Sequence, residues 1–174
     1  MSSPPMKIEK LNKTFDRWII PFFIAAVTAF ALGSLYNLTL GIDDLIRVDG
    51  KVQTIRVEEE RDNRGRSNYN FYVYLTSGSK FKIMDDYLFE SYRNSIQRTV
   101  QSGDSVTIYR RTQKQTNLGL GTINLIYQLE HKNRVLMPLN VMRQNFKWLL
   151  IFEVLLLAGL STAQIIRTRK KKKD

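Results

Sequence analysis

WIIPFFIAAVTAFALGSLYNLTLGI, residues 18–42, decides the architecture, because its 25 consecutive residues carry no charge. As a helix rising about 1.5 Å per residue, such a run exceeds the roughly 30 Å hydrocarbon core of a bilayer. A second run, WLLIFEVLLLAGLSTAQII at 148–166, has 19 residues with Glu153 as its one charge. Between them lies a polar segment of 105 residues, 43–147, with a head at 1–17 and a tail at 167–174. This pattern argues against a soluble cytosolic protein and against a multi-pass channel or transporter built from one copy. It predicts a membrane protein in which two transmembrane helices, 18–42 and 148–166, flank one folded domain.

Charge orients the chain. The formal net charge is +11, with +2 in the head, +5 in the short tail and +5 spread over the long middle. Basic residues beside a span are retained in the cytoplasm, whereas loops beyond about 60 residues cross largely regardless of charge. Both termini are therefore expected to be cytoplasmic and 43–147 extracytoplasmic, as in a bacterial-type inner membrane. Residues 32–40 extend the first run past the usual apolar core of about 7–15 residues in a cleaved leader, so an uncleaved signal anchor is expected. The tail of Arg167, Arg169 and Lys170 to Lys173 abuts a span and lacks aromatic partners. Its reading is topogenic, and no nucleic-acid partner is expected.

Within 43–147 the periodicity turns from helical to alternating. Residues 45–58 read as a strand with Gly50 at a bulge or bend, and Asp62-Asn63-Arg64-Gly65 as a turn. Tyr69, Phe71, Val73 and Leu75 then alternate with Asn70, Tyr72, Tyr74 and Thr76. A turn at 77–79 and a return strand with Phe81 and Ile83 inward complete a hairpin. Asp85 and Asp86 are placed to cap a helix running to about Thr99, with Leu88, Tyr92 and Ile96 on its inner stripe. Strands follow at 105–111 and 122–129, separated by a flexible loop at 112–121. A turn at 130–133 leads to a short strand at 134–137, and Pro138 opens a helix that continues into the second span. The resulting mainly-β, α+β order, β-β-β-α-β-β, matches an OB-like Greek-key barrel; a generic small α+β barrel is the alternative.

Gly50-Lys51-Val52, the 69–84 hairpin and Ser102-Gly103-Asp104-Ser105-Val106-Thr107-Ile108-Tyr109, set between two spans, resemble small bacterial two-pass membrane proteins with an external OB-like β-domain of no assigned function. The resemblance implies architecture and compartment, and brings no catalytic residues.

Chemistry-bearing motifs are sparse. The chain has no cysteine and one histidine, so thiol chemistry is excluded and His/Cys metal sites have no ligand set. His131 is expected to be a solvated turn residue. Carboxylates at Asp43–Asp44, Glu58–Glu60 and Asp85–Asp86 read as caps and loop charge, and no nucleotide or nucleophile-elbow motif is present. No catalytic, cofactor or metal site is expected, and a membrane-bound hydrolase using loop carboxylates ranks last. One candidate ligand face joins Tyr72 and Tyr74 to Lys80 and Lys82, with Tyr109 and Arg111 on a third strand. Interleaved rings and cations of this kind can stack on and pair with anionic ligands. A second candidate lies in the spans. Glu153 is an ionisable group where such groups are costly and usually paired, and Ser34 and Asn37 lie at similar depth as hydrogen-bonding partners. A partner protein's span is the alternative contact for Glu153.

The expected function is a non-enzymatic binding or assembly module. It would be an accessory or scaffold subunit of an envelope membrane complex, with a membrane-protein partner or a homo-oligomer implied. The alternative is a receptor for an anionic glycan or lipid headgroup through the Tyr/Lys/Arg face. An immunity-type protein that blocks a toxin in the envelope has the same signature.

Overall fold

The computed structural model describes residues 19–61, 65, 67–84, 89–119 and 124–170. The head, most of the expected turn at 62–65, the proposed Asp85–Asp86 cap, Leu88, residues 120–123 and the lysine tail beyond Lys170 lie outside the described residues. The elements run α1 (Ile20–Thr39), β1 (Ile46–Arg61), β2 (Ser67–Leu75), β3 (Lys80–Ile83), α2 (Glu90–Thr99) and β4 (Ser105–Arg110). They continue with α3 (Gln113–Leu118), β5 (Gln128–His131), β6 (Arg134–Met137) and α4 (Leu139–Lys170). Two units result: one holds the chain up to Leu35 together with everything from Lys147 onward, and the other is Tyr36–Phe146.

The first unit is helical. Both α1 and α4 are long and apolar enough to cross a membrane. Their large apolar side chains point outward, with Phe22 70%, Leu32 62%, Phe152 62% and Leu155 67% exposed. A soluble helix would bury such a surface, since each large apolar side chain left in water forgoes about 1.5–3 kcal/mol. Pro138 stands just before α4, where its missing N–H costs nothing, and the helix then runs unbroken for 32 residues.

The second unit is a six-stranded antiparallel sheet in the order β3-β2-β1-β4-β5-β6. Its centre is β1, whose 16 residues serve two partners. Residues 46–51 pair with β4, and 52–61 pair with β2. The register shifts between Val52 and Thr54, so that Gln53 is the extra residue of a bulge. That one residue flips the parity of the strand. Val48, Gly50 and Val52 face the core before it, and Ile55 and Val57 share that side after it, opposite Val73 and Phe71. Gly50 has a different job from the expected bend: a Cβ there would lie 2.7 Å from Leu75 Cδ1, so glycine lets β2's last side chain pack onto β1.

The hairpin follows its alternation. Phe71, Val73, Leu75, Phe81 and Ile83 are all buried, and join Val52, Val106, Ile108, Leu129 and Ile96 of α2 in one core. β3 is also tied to the segment before β5. Lys82 N donates to Asn124 O at 2.8 Å and Ile126 N donates to Lys82 O at 2.9 Å, forming a parallel bridge between Lys82 and Leu125.

Two expectations need correction. The loop at 112–121 contains α3, because Thr112 forms a capping box with Gln115: Gln115 N donates to Thr112 Oγ1 (3.1 Å) and Thr112 N to Gln115 Oε1 (2.8 Å). The strand expected at 122–129 is displaced to Gln128–His131, because the β5–β6 turn is only Lys132-Asn133, with φ of 50° and 61°. Both residues of that two-residue hairpin adopt the left-handed conformation it requires.

Candidate functional site

The bulge at Gln53 also determines the outer face of the sheet. Beyond it Arg56, Glu58 and Glu60 alternate with Ile55, Val57 and Glu59, and they share a side with Tyr72 and Tyr74. Glu58 is the hub. It accepts hydrogen bonds from Arg56 Nε and Lys80 Nζ, each at 2.7 Å, and from the Tyr74 hydroxyl. The Lys80 bond, followed by that of Tyr74, holds the Glu58 carboxyl down at about 2, well below the usual carboxylate range. The same bond raises the Lys80 ammonium above its ordinary value. Glu60 accepts from the Tyr72 hydroxyl and from Asn70 Nδ2. Burial, then this bond, pushes the Tyr72 phenol up to about 12, so it remains a donor. Lys80 Nζ sits 3.7 Å from the Tyr72 ring centroid, and Arg56 Cζ is 4.7 Å from that of Tyr74.

Of the six residues of the expected ligand face, the structure brings three into one cluster: Tyr72, Tyr74 and Lys80. Lys82 pairs with Tyr72 across the β2–β3 ladder and is half-buried. Tyr109 lies on β4, opposite Arg47 and Gln128. Arg111 is not on a surface. It is 0% exposed, because the chain leaves β4 at Arg110 and its side chain enters the interior. There Nη1 donates to Asn37 Oδ1 at 2.6 Å and the guanidinium carbon stands 5.2 Å from the Tyr127 ring centroid. The acidic half of the outer face, Glu58 and Glu60, is what the sequence reading missed. Its signal was present in the alternation 56-58-60, which becomes legible only once the bulge is known.

The intramembrane candidates divide between the two units. Ser34 and Glu153 belong to the helical unit and are 4% and 6% exposed, and Glu153 Oε2 has no hydrogen-bond partner. Asn37 belongs to the β-unit, where it is 2% exposed and accepts from Arg111 and from the Tyr127 hydroxyl (3.2 Å) while donating to Gly119 O (3.0 Å).

His131 is likewise not the solvated turn residue expected. It ends β5 with its side chain 4% exposed, and Nε2 lies 3.3 Å from Asp104 Oδ2 without the alignment of a hydrogen bond. Asp104 lines an open groove of about 900 Å³, along with Arg47, Asp49, Lys51, Thr107 and Lys132. Its charges are largely matched within the chain. Asp49 accepts from Thr107 and Arg47, and Asp104 accepts from Gln101 N and pairs with Lys132 at 3.6 Å. The Asp104 carboxyl is lowered, first by that backbone bond.

Among the described residues, no group of three or more His, Cys, Asp or Glu is placed to hold a metal ion. No protein-family model, curated protein or solved structure matches the chain.

Proposed function

We propose that the chain is a two-pass integral membrane protein of a bacterial-type inner membrane, with both termini cytoplasmic and an OB-like barrel outside. Its role is that of a non-enzymatic assembly module, an accessory or scaffold subunit of an envelope membrane complex. The observation that carries the membrane reading is the outward apolar surface of both helices, from Phe22 to Leu155, which water would not tolerate at this extent. The barrel reading is supported by connectivity. β1 pairs with both β2 and β4, α2 lies between β3 and β4, and the Lys82–Leu125 bridge links β3 to the chain entering β5.

The choice of assembly over anion capture follows from the Glu58 network. Two of the three cations on the tyrosine face, Arg56 and Lys80, are already bonded to Glu58, which leaves only the half-buried Lys82 opposite Tyr72 to hold an anionic glycan there. The groove beneath Asp104 is open and charged rather than enclosed and apolar, which suits a polypeptide surface better than a small molecule.

Native mass spectrometry of the protein extracted from its own membrane in mild detergent tests the reading. A second protein, or a second copy, retained at fixed stoichiometry is expected. A monomer under every gentle extraction condition would overturn the assembly role.

A further inference from the structure

The β-unit buries one cation that the outer network does not use. Arg111 Nη1 is held by Asn37, whose own amide is oriented by donating to Gly119 O and by accepting from Tyr127. Gly119 is what lets the guanidinium in, since a Cβ there would lie 2.1 Å from Nη1. The opposite edge of the group is bare: Nε and Nη2 are buried and have no hydrogen-bond partner. Those two N–H groups lie side by side and parallel in the guanidinium plane, forming the fork that grips two oxygens of one oxyanion. Burial lowers the pKa of Arg111 from its ordinary value, a sign that its desolvation is only partly offset by the Tyr127 and Tyr36 phenols. A buried cation left in this state is a cost, unless a counter-charge is supplied from outside the chain.

We infer that the Nε/Nη2 fork of Arg111 is an oxyanion site that takes a phosphoryl group in bidentate geometry. Asn37 lies two residues before the end of α1, and Arg143, in the second turn of α4, donates to Leu40 O. The fork, bonded through Asn37, therefore lies within the β-unit beside the last turn of α1, the end of the first proposed span, and headgroup phosphates are the abundant oxyanions at such an end. The lipid source rests on the membrane reading above; the fork itself does not. Because the fork is enclosed, occupancy requires the packing around it to open.

The test is thermal unfolding of the full-length protein in a phosphate-free maltoside detergent. Three probes are compared: a short-chain phosphatidylglycerol, inorganic phosphate, and the matching diacylglycerol without phosphate. Phosphatidylglycerol well above its dissociation constant should raise Tm by roughly 5 °C, and the diacylglycerol should not. Arg111→Lys keeps the charge but loses the fork, and Arg111→Met loses both; each should abolish the shift. Arg111→Met should melt at or above the ligand-free wild type, since it removes an unpaired charge. If it fails to fold, Arg111→Lys carries the comparison. A shift from inorganic phosphate alone would keep the site and overturn its lipid source. No shift with either phosphate, or a shift retained in either variant, would overturn the site.

Discussion

Glu58 shows how much one side chain organises on this protein's outer face. It stands at the meeting point of Arg56, Tyr74 and Lys80, and its carboxyl is held at about 2 against an ordinary 4.5. A folded-state value below the unfolded one means the network's contribution is complete above about pH 4.5, and is lost as pH falls toward about 2. Glu58→Gln should lower Tm at neutral pH, and the gap from wild type should close as the pH is taken down through that window. Melting curves across the range provide the check, and a gap independent of pH would mean the carboxylate's charge is not what the network uses. At this scale the sequence was half legible. The tyrosines and Lys80 announce themselves by alternation, whereas Glu58 and Glu60 look like loop charge until the bulge at Gln53 places them on the same face. Arg111 misled for the same reason: alternation says which side a residue takes on a strand, but Arg111 is already past the strand's end.

Among the elements, α3 is the one that local periodicity could not reveal, because six residues give no apolar stripe to read. What specifies it is its cap. Thr112 and Gln115 satisfy each other's backbone N–H groups, and Gln115 Nε2 also donates to Asp44 O at 2.6 Å, fastening the helix to the linker between α1 and β1. Thr112→Ala should therefore cost about 1 kcal/mol, up to about 2, while Thr112→Ser stays near neutral. Chemical denaturation of the two variants measures this, and equal midpoints would show that α3 is held by its packing alone. The β1 strand makes the complementary point. Its existence was plain from alternation over 45–58, but its double pairing depends on two partners, one of them more than 50 residues along the chain.

The whole molecule divides into two units, one of them holding most of the two candidate spans, and the absence of cysteine makes their proposed placement directly testable. A single thiol introduced by Ser77→Cys, in the exposed β2–β3 turn, should react with a membrane-impermeant maleimide in intact cells. One introduced by Lys172→Cys should react only after permeabilisation. The reverse pattern would invert the topology and with it the location of every surface discussed above.

What the sequence determined by itself was whatever depends on neighbours along the chain. Uninterrupted apolar length predicts two helices that expose their side chains, and period-two alternation predicts the hairpin and the inward Val106 and Ile108. The tertiary structure decided what depends on register and distance: the single extra residue that turns Glu58 toward Tyr74, and the meeting of Asn37 with Arg111 and Tyr127 across 74 and 90 residues. Local patterns carry the period of a strand, but they carry neither the register of its pairing, which places Glu58, nor the approach of residues distant in the chain, which brings Asn37 to Arg111 and Tyr127.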